Sequence, residues 1–324
     1  HDRKYYMSEE HSESEVKQGL LKVAVQDDSV AREAISNKLK TIFNGKCQRI
    51  LLVNPLPFEP ELFSIEQARS RRYYAWPPYG TAVLATALKS RGYDVKILDL
   101  NYDIHSHALG RTGVSNALIE EEVRQLWKDR TIEALNSFNP DCVGVSCMFT
   151  MTHKMMLTLA DFIKSLKPNM PILAGGVHIS NAPDFVLREG TSIDIAGLNE
   201  CDVTFPEMID FINGKIESDK LSQIGTMING EYVALKNRTA PSAEELNIEP
   251  DYGDLPIGAY SALGEVGTYR FWLPPTFKAS SVLSNRGCRA HCSFCSVANF
   301  NGKGVRQRSV ESVLDEIQHL KENH

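Results

Sequence analysis

The sequence predicts an α/β protein built on a doubly wound, parallel, five-stranded sheet. Over about residues 47–216, short β-rich runs alternate with segments of helical periodicity. This alternation is typical of a parallel sheet that is covered by helices on both faces. A connector over 217–278 follows the sheet domain. The strand and helix predicted over 279–324 match the first unit of a partial (β/α) barrel.

Each element of the sheet domain is predicted by a local pattern. The five predicted strands are RILLVNP (49–55), YDVKILDL (93–100), DCVGVSCMF (141–149), PILAGG (171–176) and SIDIAGL (192–198). The helices predicted between and after them cover 81–92, about 115–136, 154–167, about 182–189 and 205–215. The first of these helices stops at Gly92, which suits a helix C-terminus. The polar stretch after the second strand carries no helix prediction.

The flanking segments are predicted to be simpler. Residues 1–46 form a polar leader with one amphipathic helix around 29–44. In the connector, IGTMINGEYVALKN (224–237) predicts a hairpin that turns at Asn229-Gly230. A loop with proline and acidic residues comes after this hairpin.

The C-terminal segment predicts a strand at SSVLSNRG (280–287) and a helix over 309–324, with Ser309 as its N-cap. One strand–helix unit cannot bury both of its faces. We therefore expect the chain to be a fragment that is inactive without further C-terminal residues.

The composition excludes several classes of function. The chain has 324 residues, and its 35 Lys and Arg against 41 Asp and Glu give a net charge of −6. Without a basic cluster, a nucleic-acid partner is not expected. No run reaches the roughly 20 apolar residues of a membrane helix. The polar N-terminus lacks a secretory signal, so a cytoplasmic protein is predicted.

The cysteines carry more information. Four of the seven are scattered, as expected of small buried hydrophobic residues, namely Cys47, Cys142, Cys147 and Cys201. The other three fall within eight residues, at Cys288, Cys292 and Cys295. An odd number in a long chain without a secretory signal does not indicate a disulfide framework. The tight group indicates a metal or cluster site.

Three thiolates can ligate three irons of a 4Fe–4S cube and leave the fourth iron open to a small molecule. The group also lies directly after a predicted strand, at the end where α/β folds place active sites. The alternative is a structural zinc held by Cys288, His291, Cys292 and Cys295. Adjacent His291 and Cys292 make poor joint ligands, and no second half of a zinc ribbon is present.

This motif resembles that of the radical S-adenosylmethionine superfamily. The shared features are C-x3-C-x2-C, Phe294 before the last cysteine and a preceding strand that ends in Arg286-Gly287. The run VRQRSVESVLDEIQHL (305–320) is also similar to the segment on the C-terminal side of the motif in that family. The resemblance implies that the three cysteines hold a 4Fe–4S cluster.

The same resemblance implies a set of cofactors and reactions. The open iron chelates the amino and carboxylate groups of S-adenosylmethionine, with Phe294 near the adenine. Reductive cleavage then gives methionine and a 5′-deoxyadenosyl radical. The electron comes from an external flavodoxin- or ferredoxin-like donor.

The first domain resembles the Rossmann-like, cobalamin-binding domain found N-terminal in one class of this superfamily. Asn54-Pro55-Leu56-Pro57 lies after the first strand, where a dinucleotide site needs GxGxxG, so NAD is not expected. The matching segments are Pro77-Pro78-Tyr79-Gly80, Ser146, Gly175-Gly176-Val177-His178 and the loop from Gly197 to Glu200. The resemblance implies cofactor contacts at Pro78, Gly80, Ser146, Gly175, Gly176, His178 and Glu200.

Two departures from the family pattern shape the prediction. No histidine lies after the first strand, where some cobalamin domains carry D-x-H-x-x-G, so cobalamin is expected base-off and without a histidine ligand. Asp103-Ile104-His105 only echoes that motif, because it comes after the second strand. The segment GLNECDVTF (197–205) is longer than the corresponding family segment.

Several residues in this domain have simpler interpretations. The paired glycines suit a tight turn equally well, and His178 fits a loop residue better than a ligand. An aromatic cluster of Tyr73, Tyr74, Trp76 and Tyr79 suits either a flat macrocycle or internal packing.

The resemblance predicts a cobalamin-dependent radical S-adenosylmethionine enzyme. Its expected reaction is methylation of an unactivated carbon in a small-molecule or natural-product substrate. The alternatives are a cyclase or rearrangement enzyme of the same architecture, and a non-catalytic corrinoid- or metal-binding module with a three-cysteine site.

Overall fold

The computed structural model describes residues 28–188, 191–235, 240–264, 277–290 and 292–324. A seven-stranded sheet lies at its centre. Its strands are β1 (Arg49–Asn54), β2 (Asp94–Asp99), β3 (Cys142–Ser146), β4 (Ile172–Gly175), β5 (Ile195–Gly197), β6 (Ile224–Ile228) and β7 (Glu231–Ala234). Their order is β2-β1-β3-β4-β5-β6-β7. The first five are parallel and the last two antiparallel.

The predicted five-stranded parallel sheet is therefore confirmed, and the predicted hairpin extends it by two strands. The turn lies at Asn229 and Gly230, which have φ of 52° and 82°. Positive φ at both central residues is the requirement of a two-residue hairpin turn whose twist matches the strands.

Helices cover both faces of the sheet. The helices of the sheet domain and connector are α1 (Asp28–Phe43), α2 (Ile65–Arg69), α3 (Tyr79–Lys89), α4 (Leu100–Gly110), α5 (Asn116–Phe138), α6 (His153–Leu166), α7 (Val177–Asn181), α8 (Pro183–Val186), α9 (Thr204–Ile212) and α10 (Ile257–Leu263). None of the helices in the described ranges has both the length and the hydrophobicity needed to cross a bilayer.

The strands alternate their side chains between two hydrophobic cores. Leu51 and Val53 of β1 join the core formed with α4, α5 and α6. Ile50 and Leu52 of the same strand join the opposite core, formed with α1, α3 and α9. Because neighbouring residues of one strand enter different cores, the sheet is doubly wound, as predicted.

The helix α4 corrects the sequence analysis, which left this polar stretch without a helix. Its buried residues Leu100, Ile104 and Ala108 recur every fourth residue. This spacing places them on one helix face. The polar residues between them hide that period in the sequence. The Asp99 carboxylate caps the helix by accepting from the Tyr102 amide.

The flanking segments share the core of the sheet domain. In α1, which the sequence placed in a polar leader, Ile35 and Leu39 are fully buried. Arg32 of the same helix donates to the carbonyl oxygens of Ser218 (2.7 Å) and Leu221 (2.6 Å). Tyr260 of α10, in the predicted connector, is also fully buried in this core. Both segments therefore contribute to the packing of the sheet.

The C-terminal segment forms a second, two-stranded sheet. It contains β8 (Asn285–Cys288), α11 (Val297–Asn301), β9 (Gly304–Gln307) and α12 (Val310–Asn323). The predicted strand at 280–287 thus begins five residues later, and it pairs antiparallel with β9. The antiparallel pair brings the chain back beside β8 before α12 begins. Ser309 caps α12 as predicted, because its hydroxyl accepts from the Ser312 amide at 3.1 Å.

Two contacts fix the C-terminal segment, one within the second sheet and one between α12 and the connector. Gly287 has φ of +85°, and a Cβ there would lie 2.2 Å from the Gly304 carbonyl oxygen, so the position requires glycine. Arg308 and Glu316 form a buried ion pair, and the Tyr252 hydroxyl donates to Glu316 at 2.7 Å. This pair anchors α12 against the connector.

Candidate functional site

The candidate site lies at the carboxyl edge of the five parallel strands. The strand order β2-β1-β3-β4-β5 reverses direction between β1 and β3. In open α/β sheets, such a reversal leaves a crevice outside the carboxyl ends of the two strands, and ligands bind there. The loops after β1, β3, β4 and β5 meet at this edge, and they carry the site residues predicted in the first domain.

The loops after β3 and β4 contact each other through their backbones. The Cys147 amide donates to the Gly175 carbonyl oxygen at 2.7 Å, and the His178 amide donates to the Cys147 carbonyl oxygen at 3.2 Å. Gly176 has φ of +118°, and a Cβ there would lie 2.5 Å from the Cys147 carbonyl oxygen. Glycine is needed here because two backbones approach closely.

The same edge exposes several large apolar side chains. Five large side chains are exposed and form what we term the apolar platform, namely Tyr74, Trp76, Met148, Phe149 and Met151. The rings of Tyr74 and Phe149 are nearly parallel, with centroids 6.5 Å apart. Contiguous exposed apolar side chains indicate an interaction site. The platform suits a flat ligand.

The predicted aromatic cluster is therefore divided between two roles. Tyr74 and Trp76 belong to the apolar platform, whereas Tyr73 packs internally against Phe58 and His105, with centroid distances of 4.6 and 5.0 Å. Tyr79 opens α3, and burial raises the pKa of its hydroxyl.

The remaining predicted contacts of the first domain also lie at this edge. Pro78 precedes α3 and Gly80 lies in its first turn, where a Cβ would meet no atom within 4 Å. Ser146 is the last residue of β3, and Gly175 the last of β4. The space in front of Gly80 is therefore open to a ligand.

His178 lies on the short helix α7 rather than in a loop. Its Nε2 lies 3.0 Å from Nδ1 of His153, and its Nδ1 lies 3.2 Å from the Thr150 hydroxyl. Burial lowers the pKa of both histidines, and the neighbouring His178 adds to the effect on His153. Both ring nitrogens of His178 are thus engaged by protein groups.

A buried carboxyl group that the sequence analysis missed lies at the end of β2. Asp99 accepts hydrogen bonds from the Tyr260 hydroxyl (2.5 Å), the Asn54 side-chain amide (2.8 Å) and the Tyr102 amide (3.1 Å). Burial raises its pKa to about 6, against the effect of these hydrogen bonds. The available sequence signal was polar Asn54 and Asp99 at equivalent ends of neighbouring strands.

Glu200 is oriented away from open space and into an ion-pair cluster. Arg306 donates to it at 2.5 Å, Asn301 at 2.6 Å and Arg286 at 3.1 Å. Burial acts to raise the pKa of this carboxyl, but the hydrogen bonds and the two arginine charges outweigh burial and lower it. The sequence analysis predicted a cofactor contact at Glu200, and the structure places the residue between the two sheets.

The cysteine loop, which contains Cys288, Cys292 and Cys295, begins at the end of β8. Cys288 is half-buried, while Cys292 and Cys295 are exposed, and all three are free thiols. The Cys295 amide donates to the Cys292 carbonyl oxygen at 3.1 Å. Phe294 is 91% exposed. Three accessible thiols on one loop have the donor chemistry of an iron–sulfur cluster, but in this structure they are not gathered around a single metal position.

His291, the fourth ligand of the zinc alternative, lies outside the described residues. Within the described ranges, no three or more His, Cys, Asp or Glu side chains are arranged to hold a single metal ion. Of the four scattered cysteines, Cys47, Cys142 and Cys147 are buried as predicted, whereas Cys201 is half-buried.

Comparisons with known proteins match the first domain with a family model and most of the chain with curated relatives. Residues 68–209 match the family model described as "B12 binding domain". Cytidylyl-2-hydroxyethylphosphonate methyltransferase from Streptomyces wedmorensis is 25% identical over 295 residues, which are 86% of this chain and 53% of the relative. Anaerobic magnesium-protoporphyrin IX monomethyl ester cyclase from Cereibacter sphaeroides is 24% identical over 254 residues, which are 77% of this chain and 36% of the relative.

Solved structures show the same fold. The radical S-adenosylmethionine methyltransferase TsrM from Kitasatospora setae, solved with cobalamin and a [4Fe-4S] cluster bound, superposes with a TM-score of 0.58 at 20% identity. The match covers 85% of this chain and 47% of TsrM. The chain spans about half the length of the curated relatives first matched.

Proposed function

Because the chain belongs to the class of radical S-adenosylmethionine proteins with an N-terminal cobalamin-binding domain, we propose that the complete protein is a cobalamin-dependent methyltransferase. Its proposed reaction is methylation of an unactivated carbon in a small-molecule or natural-product substrate. One observation carries this proposal: the B12-binding match over 68–209 covers the loops after β3, β4 and β5, at the sheet edge to which Glu200 fastens the cysteine loop.

The residues at the crevice fit a corrin ring. The apolar platform offers flat hydrophobic contact, and burying its exposed side chains against a ligand is favourable. Gly176 keeps the loops after β3 and β4 in backbone contact, and Gly80 leaves its space open. These features support cobalamin contacts at Pro78, Gly80, Ser146, Gly175 and Gly176.

We further propose that cobalamin is bound without a histidine ligand. The described loop between β1 and α2 contains no histidine. Of the nearby histidines, His153 and His178 hydrogen-bond each other, and His105 is fully buried among aromatic rings. The engaged nitrogens of His178 support a positioning role for this residue rather than a bond to cobalt.

The cysteine loop has the donor chemistry for the second cofactor. Cys288, Cys292 and Cys295 would hold the cluster, and exposed Phe294 would contact the adenine of S-adenosylmethionine. When bound, cobalamin carries the methyl group, and the cluster with S-adenosylmethionine supplies the radical that abstracts the substrate hydrogen. The external electron donor and the cytoplasmic location stay predictions from the sequence.

The test is anaerobic reconstitution of the full protein with iron, sulfide and cobalamin. The proposal expects about four irons per chain together with retained cobalamin. Cys292→Ala should lose the iron–sulfur absorbance and keep the cobalamin, whereas Ser293→Ala, a change of an exposed neighbour, should keep both. Zinc without iron in the wild type would refute the radical chemistry. Failure to retain cobalamin would refute the methyl-transfer role.

The similarity to the cyclase from Cereibacter sphaeroides supports one alternative function, a cyclisation or rearrangement by a protein of the same architecture. Product analysis separates the two. Methylation forms S-adenosylhomocysteine and 5′-deoxyadenosine in equal amounts, because one S-adenosylmethionine gives the methyl group and another the radical. Cyclisation or rearrangement forms 5′-deoxyadenosine without S-adenosylhomocysteine.

A further inference from the structure

The loop of residues 199–202, just after β5, contacts the second sheet through buried charges. The side chains of Glu200 and Asp202 are only 2% and 6% exposed. The loop is itself fixed to the first sheet, because the Leu198 amide donates to the Gln223 carbonyl oxygen at 2.8 Å. Buried carboxylates persist only where cations or hydrogen-bond donors compensate them. Both compensating arginines come from the second sheet.

The first contact lies just before the cysteine loop. Arg286, two residues before Cys288, donates to both carboxylate oxygens of Asp202 at 2.5 and 3.2 Å. It also donates to Glu200 at 3.1 Å. A two-pronged arginine–carboxylate contact restricts orientation as well as distance. Arg286, which directly precedes Gly287 and Cys288, is therefore held in a fixed position on the first domain.

The second contact lies just after the cysteine loop. Arg306 of β9 pairs in register with Arg286 and donates to both oxygens of Glu200, at 3.0 and 2.5 Å. Asn301, the last residue of α11, donates to Glu200 at 2.6 Å. The Asn199 side chain donates to the Asn299 carbonyl oxygen at 2.6 Å. The helix that begins two residues after Cys295 is thus held by the same loop.

The 199–202 loop also touches the crevice of the first domain. The Asn199 amide donates to the Ser180 hydroxyl at 2.8 Å. Ser180 lies on α7, which begins directly after Gly176, and its hydroxyl donates to the Gly176 carbonyl oxygen at 3.0 Å. A continuous set of hydrogen bonds therefore runs from the loop after β4 to both flanks of the cysteine loop.

From this arrangement we infer that Glu200 and Asp202 are positioning residues that fix the cysteine loop at a set distance from the crevice of the first sheet. The inference rests on the proposed function, since the distance matters because a cofactor sits on each side. Misplacing reacting groups by about 1 Å can lower a rate about 100-fold. The loop would thereby couple radical formation at one cofactor to methyl delivery at the other.

The test compares Asp202→Asn and Glu200→Gln with Asp219→Asn in the full protein. Asp219 is a matched control, because its carboxylate is 67% exposed and contacts only Lys220, at 3.6 Å, among the side chains described. The first measurement needs no cofactor: hydrogen exchange of the backbone amides of β8 and β9 in the apoprotein. We expect faster exchange in the two test variants and wild-type exchange in the control.

The second measurement uses the loaded protein. Pulsed electron paramagnetic resonance gives the distance distribution between Co(II) and the reduced cluster, at equal iron and cobalamin content. We expect one narrow distribution in the wild type and in Asp219→Asn, and a broader one in Asp202→Asn. We also expect the ratio of 5′-deoxyadenosine to S-adenosylhomocysteine to rise about 10-fold or more. A purely structural role would lower cofactor content and leave the distance and the ratio unchanged.

The outcomes separate the two proposals. If the wild type binds neither iron nor cobalamin, the proposed function fails, and the exchange measurement still tests the positioning contact. If the wild type binds both and Asp202→Asn keeps the wild-type exchange, distance distribution and ratio, the inference is overturned. Should Asp202→Asn fail to fold by circular dichroism, Asn301→Ala, which removes one hydrogen bond to Glu200, replaces it with the same expected changes.

Discussion

The crevice of the first domain and the cysteine loop carry the two predicted cofactor sites, yet they are built in different ways. At the crevice, backbone contacts between the loops after β3 and β4 are supported by two hydrophobic cores. In the second sheet, no residue of β8 or β9 is buried. The position of the cysteine loop depends instead on the charges of Glu200, Asp202, Arg286 and Arg306.

This difference has a physical consequence. Hydrophobic packing holds the crevice before any ligand arrives, so cofactor binding there needs little further ordering. The cysteine loop has few apolar contacts of its own, and metal–thiolate bonds would supply the order that packing does not. We therefore expect cofactor removal to affect the second region far more than the first. Substitutions in each region test this contrast.

The largest effect is expected at the cysteine loop. Cys292→Ala should abolish cluster binding, because Cys288, Cys292 and Cys295 are the predicted donor set. The thermal unfolding midpoint of the apoprotein should stay at the wild-type value, since Cys292 is exposed. Iron analysis and a melting curve check both points. A fall in the apoprotein midpoint would mean that the loop is already part of a packed core.

The crevice should respond in the opposite way. Gly176→Ala should destabilise the apoprotein by about 2–3 kcal/mol, because the new Cβ meets the Cys147 carbonyl oxygen at a positive φ. Gly214→Ala is the control, with φ of +70° and nothing within 4 Å of its Cβ, and should cost only about 1 kcal/mol. Urea unfolding measures both. Equal losses of stability in Gly176→Ala and Gly214→Ala would show that the close backbone contact at Gly176 does not add to the cost of the substitution.

The buried Asp99 should give the first domain a distinct pH dependence. Its pKa is about 6 in the folded protein against an ordinary value of 3.8, so the folded state binds more protons between these values. Stability should then fall by about 3 kcal/mol as the pH rises from 3.8 to 6. The contribution of the protonated Asp99 carboxyl to the stability of the folded state is complete below pH 3.8 and lost above pH 6.

Asp99→Asn removes this titration. Urea unfolding of the apoprotein measures the effect. Relative to the wild type, the free energy of unfolding of the variant should increase by about 3 kcal/mol between pH 4 and pH 7. Asp94→Asn, at the exposed amino end of the same strand, should keep the wild-type slope. If Asp99→Asn and the wild type gave parallel pH profiles, the carboxyl of Asp99 would not be the group that titrates.

Only a small effect on stability is expected at Phe294. Because this ring is 91% exposed, Phe294→Ala should change the free energy of unfolding by less than about 0.5 kcal/mol. Binding of S-adenosylmethionine to the reconstituted protein should weaken about 10-fold, the order expected when an aromatic contact is lost. Leu62→Ala, another exposed apolar residue, should change neither quantity. Unchanged binding in Phe294→Ala would remove this residue from the adenine site.

Much of the fold was accessible from the sequence because it depends on local patterns. The buried strands, the alternation with helices and the Asn229-Gly230 turn are all signals within a few residues. The helix α4 was missed because polar residues separate Leu100, Ile104 and Ala108. The late start of β8 and its pairing with β9 were missed because the partner strand carries no strong β pattern.

The candidate site divides in the same way. The spacing of Cys288, Cys292 and Cys295 predicted a cluster site without any structure. The roles of Glu200 and Asp99 needed the structure. Glu200 meets Arg286 and Arg306 across 86 and 106 residues of chain, and Asp99 meets Tyr260 across 161.

The sequence by itself determined the class of this protein, because the cysteine spacing and the alternation of strands and helices are patterns formed by residues that are close together in the chain. Only the tertiary structure decided which carboxylates are buried, which are paired with arginines and how the cysteine loop is fastened to the first domain. The physical reason is that ion pairing and burial depend on distance in space, and folding brings together groups that the chain keeps far apart.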